Sequence, residues 1–398
     1  MREALIVLAM APGLLAQPAA HPYIGAGGCA SSNCHGGTTA LPENESRILG
    51  NEYATWSVSD KHAQAFKVLE EPRGKRMAQI LKIADAARDR RCAVCHVVGS
   101  PEKSRSDGVA CEACHGAAET WLGTHTRQNS HQASVKAGMI DTKNLEVRAR
   151  TCLACHLGTG EQVVDHELIA AGHPDLAFEL DTFTAAQPAH HRAAKAAERQ
   201  RAWAVGQSVA LAEGMRLLGN HAGARWPEFA DLECYQCHHD LRADSWRLER
   251  GYGARKPGSL QVNTARFEIV RDLVATAAPE QRAALDAGLA QLTGNVMDSG
   301  VVAQAAKAIE RIAAGLTERF QKQEFDAQAV LRVVTASIGR IADGGVNAAE
   351  QATMTLDALG SALGRKPDAV TPLYNYLEHP STYRPAEFVA LFQKAAME

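Results

Sequence analysis

The chain has 398 residues, enough for two or three domains, and carries 22% charged residues with a net charge of −3. That balance argues against a nucleic-acid binder, which is usually strongly basic. Aromatic residues make up only 5%, little flat apolar bulk for a core of this size, while cysteine (10) and histidine (16) stand out.

The sequence opens MREALIVLAMAPGLLAQPAA. Arg2 precedes an apolar run from Ala4 to about Ala16, and small residues follow. A membrane-spanning helix needs about 20 apolar residues, so a run this short reads as the core of an export signal. Cleavage is expected between Ala16 and Ala20, and no other segment is apolar enough to span a membrane.

The cysteines then fall into five pairs, each closed by histidine. They are CASSNCH (Cys29, Cys34, His35), CAVCH (Cys92, Cys95, His96), CEACH (Cys111, Cys114, His115), CLACH (Cys152, Cys155, His156) and CYQCH (Cys234, Cys237, His238). Paired cysteines in an exported chain are by default disulfides, and in a cytosolic chain zinc ligands. Neither accounts for the histidine after every pair. C-x-x-C-H is the c-type haem attachment pattern. Two thiols add to the two vinyl groups of one porphyrin, and the adjoining imidazole reaches the iron as the proximal ligand. The first motif has four residues between its thiols, and a plain disulfide loop is its alternative reading. The sequence thus predicts five covalently bound haems c, which would supply the apolar bulk that the aromatics do not.

An iron with one axial histidine either takes a second ligand or keeps an open site. His62 lies in WSVSDKHAQAF, where a short helix is expected. His125 ends WLGTH, four residues after Trp121. His166 and His173 lie seven apart in DHELIAAGHPDLAFEL, with Gly172 and Pro174 interrupting any continuous helix. His190 follows Pro188 near a long helical run. These five are the candidate distal ligands, and His131, His191 and His221 are held in reserve. His239 adjoins His238 and cannot reach the same iron from its other face. Arginines precede two motifs, in ARDRRCAVCH and EVRARTCLACH, where they either pair with haem propionates or stay solvated. Cys95 and Cys111 are close in sequence, so their haems are expected to be neighbours.

From about Ala189 to Asn220, Val205, Val209, Ala212, Met215 and Leu218 recur at helical spacing, with Gly219-Asn220 as the expected stop. After about Gly251 cysteine disappears and alanine-rich stripes follow one another. Pro279 suits a first turn, Ser299 a cap, and Val302, Ala305, Ile309, Ile312, Leu316 and Phe320 one apolar stripe. Asp326 is expected to cap a helix bearing Val330, Val334, Ile338 and Ile341 that ends at Asp343-Gly344-Gly345, and Asn347 with Glu350 resembles a capping box. The predicted fold is mainly α: a multihaem cytochrome c domain with little regular structure and no sizeable sheet, then an antiparallel helical bundle. The predicted divisions are 1–20 (signal), 21–251 (five haems) and 252–398 (bundle), the last read as a scaffold on the haem region or a docking element.

The runs DGVACEACHGAAETWLGTH, YATWSVSDKHAQAF, IAAGHPDLAFELDTF and CYQCHHDL resemble the multihaem cytochromes of the cytochrome c-554 type, over roughly Ile24 to Gly251. The founding members are tetrahaem carriers that accept electrons from hydroxylamine oxidoreductase. The resemblance implies distal histidines at the positions of His62 and His125, and closely packed haem pairs. Two departures are that this chain has five motifs and that its first is wider. The reading is an exported electron carrier with bis-histidine haems and no catalytic residues. Its partners are redox proteins, including haem-to-haem contact with another cytochrome, without nucleic acid and without a transmembrane span once the signal is cleaved. The alternative is an oxidoreductase acting on a small nitrogen or sulfur compound at one open iron, although no C-x-x-C-K occurs.

Overall fold

Cysteine-dense loops and alanine-rich stripes give two different textures. The computed structural model describes residues 22–43, 48–98, 107–160, 162–238, 242–251 and 258–398. The predicted leader, His21, His239 and the stretch 252–257 at the predicted bundle boundary lie outside them. Among the described residues the chain is mainly α-helical with no strand, and its extended pairing is one antiparallel bridge, Leu232 to Val262.

The motif-bearing part is built from short helices: α1 (Glu52–Ser59), α2 (Lys67–Glu70), α3 (Pro72–Ile80), α4 (Arg90–His96), α5 (Cys111–His115), α6 (Leu122–His125) and α7 (His131–Lys136). It continues with α8 (Leu145–His156), α9 (His166–Ala171) and α10 (Leu180–Ala186). Then come α11 (Ala196–Ala224), a short α12 (Trp246–Arg250), α13 (Ala265–Ala277), α14 (Pro279–Gly294) and α15 (Ser299–Lys322). The last five are α16 (Ala327–Ala336), α17 (Ile338–Asp343), α18 (Val346–Ala362), α19 (Thr371–Leu377) and α20 (Pro385–Met397).

Most of the stripe on α15 is buried as its periodicity predicts: Val302, Ala305, Ile309, Leu316 and Phe320 are all 1% exposed or less, while Ile312 is half-buried and the neighbouring Ala313 takes the core position. Burying each large side chain contributes about 1.5–3 kcal/mol. α15 packs along α11 in the most extensive helix pairing of the molecule, and α13, α14 and α18 complete the layer. The core runs without a break from Ala149, Leu153 and Leu180 through Trp203 and Val205 to Phe388 and Phe392. α8 therefore belongs to both textures: Ala149 and Leu153 enter this core, while the same helix carries Cys152, Cys155 and His156.

Several helix limits differ from those predicted. α11 starts at Ala196, after the Pro188 segment, and runs past Gly219-Asn220 to Ala224. Gly219 faces α15, where a Cβ would meet the Ala306 methyl, so it is a close-packing residue and not a stop. Asp298, not Ser299, caps α15 by accepting from the Val301 amide at 3.0 Å. Asp326 caps α16 as predicted, but Ser337 breaks the run before Ile338, and α17 carries the rest. Gly345 precedes α18, so Asn347 lies inside that helix and bonds Asp175 instead of forming a capping box.

Candidate functional site: the cysteine and histidine clusters

A C-x-x-C-H run on a helix puts its cysteines at i and i+3 and its histidine at i+4, all on one face. α4, α5 and the end of α8 use this directly, so each presents two thiols and an imidazole together. Cys234 opens a 3-10 turn, Cys234–Gln236, instead. The wider first motif is a pair of turns: Cys29 ends a 3-10 turn, and the amides of Cys34 and Gly36 both donate to the Ser31 carbonyl at 2.9 Å. Gly116 follows α5 with φ +80°, where a Cβ would press on the Gly138 carbonyl, and this lets the chain turn away beneath His115. Among the ten cysteines Cys34 and Cys237 are exposed and the other eight half-buried.

Four of the five remote histidines named from sequence lie near a motif histidine. Ring centres lie 6.3 Å apart for His35 and His125, and 6.1 Å for His62 and His156. They lie 6.4 Å apart for His96 and His173, and 6.1 Å for His166 and His238. Two imidazoles bonded to one metal through Nε2 at about 2 Å each, with ring centres roughly 1.2 Å further out, stand about 6.4 Å apart. The four pairs fit that requirement. Rings on a common axis are free in their mutual twist, and here two pairs are near parallel (13° and 30°) and two near perpendicular (84° and 89°).

His115 has no such ring partner among the described residues. Burial pushes its pKa down to about 4, and the neighbouring imidazoles His190, His35 and His125 add to this in that order. Burial likewise holds His156 down to about 4, with His62 second, and lowers His96. Neutral imidazoles keep the lone pair that a metal needs.

The other ring nitrogen decides the tautomer. Nδ1 of His35 meets Glu52 Oε2 at 3.0 Å and that of His62 meets Asp60 Oδ1 at 2.9 Å. Nδ1 of His96, His173 and His190 meets the Ala65, Pro174 and Pro188 carbonyls at 2.8, 2.8 and 3.3 Å, and that of His125 meets the Leu122 carbonyl. Those oxygens only accept, so Nδ1 carries the hydrogen and Nε2 stays free to bind a metal. The carboxylate partners also raise the pKa of His35 and His62. His131 differs, because its Nε2 is taken up by Asp141 at 3.0 Å. His221 bonds Asp231 through Nδ1 at 2.6 Å, and His191 packs edge-on to His190.

Three acidic residues that position this site were not singled out from sequence. Asp60 precedes His62 by two and holds both its amide and its ring, while Gln187 donates to the second oxygen at 3.2 Å. An Asp two residues ahead of a histidine is a readable local cap signal. Glu52 and Glu112 carry no such signal. Glu112, 5% exposed, accepts from the amides of Ile24, Gly25 and Ala118 at 3.0, 2.8 and 2.7 Å and so ties the N-terminal turn to α5. Aromatic rings line the imidazoles: Trp121 beside His125, Phe178 and Phe183 beside His156, and Phe229 beside His166.

Thiols of different motifs also meet. A hydrogen bond from Cys29 to Cys111 raises the first and lowers the second, and one from Cys155 to Cys95 does the same. Burial pushes Cys114 up to about 12, and Cys152, Cys155 and Asp60 add to this in that order. The arginines ahead of the motifs meet protein groups: Arg91 pairs with Asp165 and Glu167, Arg150 with Glu146 and Glu213, and Arg148 donates to the Thr142 carbonyl. Among the described residues no three His, Cys, Asp or Glu side chains gather around a bare metal ion. Four of the five motifs thus bring two thiols and their own histidine near a second imidazole.

Residues 29–116 match the family model of cytochrome c554 and c-prime. The matched segment is that of a c-type cytochrome of the c554 type. The cytochrome c554 match takes in the first three motifs, Cys29 to His115, together with His62, and ends at Gly116. A c-type cytochrome holds its haem covalently through cysteine and exchanges electrons with redox partners. No curated protein and no solved structure matches the chain. Among the described residues no helix is long and apolar enough to cross a membrane.

Proposed function

We propose that the protein is an exported electron carrier with five haems c, each iron held by two imidazoles. The pairs are His35 with His125, His96 with His173, His115 with His190, His156 with His62 and His238 with His166. The observation that carries this reading is the 6.1–6.4 Å separation of four histidine pairs that each join a motif histidine to a remote one. The fifth pair joins the remaining motif histidine, His115, to His190, one of the imidazoles that act on it together with the already paired His35 and His125. Haem supplies one-electron chemistry at the iron; the chain's residues fix the axial ligands, their tautomer and their exposure to water.

Two imidazoles per iron favour low reduction potentials and leave no coordination position for a substrate. Glu52 and Asp60 on the Nδ1 hydrogens of His35 and His62 make those imidazoles more basic and stabilise the oxidised centre further. The short-helix region from the first motif to about Gly251 is the electron-carrying unit, and α13–α20 are its scaffold.

The mass of the exported protein, together with its reduced visible spectrum, tests the proposal. Five haem additions and a low-spin spectrum that carbon monoxide leaves unchanged are expected. Fewer additions, or a fraction that binds carbon monoxide, would overturn the count or the ligation. Low-temperature electron paramagnetic resonance of the oxidised protein adds a check on pairing. Near-perpendicular and near-parallel imidazole planes give different low-spin signals, so two classes are expected.

A further inference from the structure

The fifth motif differs from the other four in what walls it. Beside Cys237 and His238 opens a cavity of about 530 Å³ that no other motif lines. Much of its wall comes from far along the chain: Val346 at the start of α18, and Tyr383 and Arg384 just before α20. This wall is preformed. Tyr383 is 3% exposed, its hydroxyl donates to the Ala342 carbonyl at 2.8 Å, and its ring meets Trp246 edge-on at 6.0 Å. Two guanidinium groups border the same space. Arg247 lies 4.4 Å from the Trp246 ring and 5.0 Å from Tyr235. Arg384 lines the cavity with its Nη1 3.4 Å from the Tyr383 carbonyl. Flat apolar walls with two forked cations at the rim suit a flat apolar group bearing carboxylates.

We propose that Arg247 and Arg384 bind the propionates of the haem tethered at Cys234 and Cys237, so that this site is completed by the C-terminal helices. The inference rests on the five-haem reading above. Its physical consequence is directional: two positive charges beside one centre favour that centre's reduced form and raise its potential.

Potentiometric titration with visible detection on the intact haem-loaded protein tests it, comparing the wild type with R384Q, R247Q and R384K, and with R332Q on the exposed side of α16 as a control. One of five centres should move down by about tenfold in its redox equilibrium in R384Q and in R247Q, ~59 mV for one electron. R384K should stay near the wild type and R332Q should not move. No shift in either glutamine variant, equal shifts of all centres, or a shift in R384K as large as in R384Q would overturn the inference. So would a saturable shift of the same centre in the wild type on adding inorganic phosphate, since the arginines would then be open to outside anions. The mass of each variant keeps the two claims apart: fewer than five haem additions in the wild type defeats the five-haem reading, whereas five additions without the single shift defeats only this assignment.

Discussion

The motif-bearing part and the α11–α20 part solve the problem of a core in opposite ways. In the second, side chains fill space themselves, and Val302, Ile309, Val330, Ile341 and Phe388 reach 0% exposure. In the first, a separate cluster has only Leu69, Ala78, Ala86 and Ala87 as buried members, while most motif cysteines and histidines stay half-buried. Alanine stripes close on one another, whereas short turns around thiols and imidazoles leave those groups half-buried. The difference teaches that one part completes its core with its own side chains, while the other is, on the reading proposed above, completed by haem.

The sharpest way to break this contrast is to make the chain without haem attachment. Amide hydrogen exchange should then lose its protection across α1–α7 and α9 while α13–α18 keep theirs, and uniform protection would refute it. Next in size is Phe388→Ala, which should cost about 3–5 kcal/mol in denaturant unfolding followed by circular dichroism. The visible spectrum should not change.

Glu179 probes the border between the two parts. It is 2% exposed, caps α10 by accepting from the amides of Asp181 and Thr182, and is pushed up to about 8 by burial and by Asp181. Folding therefore favours its protonated form. Its stabilising contribution is complete below its ordinary value of 4.5 and is lost as pH rises towards about 8. Glu179→Gln should flatten that fall in stability, by roughly 1–3 kcal/mol between the two pH limits. A wild-type profile that is already flat there would refute it. The smallest effect is Asp298→Ala, which removes the cap of α15 and should lower stability by about 1 kcal/mol. The same unfolding curve reads it, and a change in haem potentials would contradict the division between the parts.

Much of this was legible in the sequence because covalent chemistry fixes it. The C-x-x-C-H spacing is short and regular in four motifs and can be read directly, and the wider first motif could be read by its closing histidine. The candidates His62, His125, His166, His173 and His190 could be named from local context, and four of them now face a motif histidine. Their pairing could not be read: which remote ring meets His156 depends on where the turn Lys61–Gln64 that carries His62 sits against α8, a matter of tertiary contact. The bundle stripes were readable from period, and their limits less so. Gly219 looks like a stop in one dimension and serves as a contact point in three, and Asp298 outcompetes Ser299 by one position. Glu112 was invisible because its role depends on a turn more than eighty residues earlier in the chain.

The segment around α9 has one more implication. His166 opens that helix and faces His238, and His173 follows just beyond the left-handed Gly172 and faces His96. Arg73 clasps the Gly172 carbonyl from α3. A single strap of about eight residues thus reaches into two centres at once. On the ligation proposed above, lifting this strap by heat or strain would take a ligand from two centres in one event, a fuse that opens two links of the circuit together.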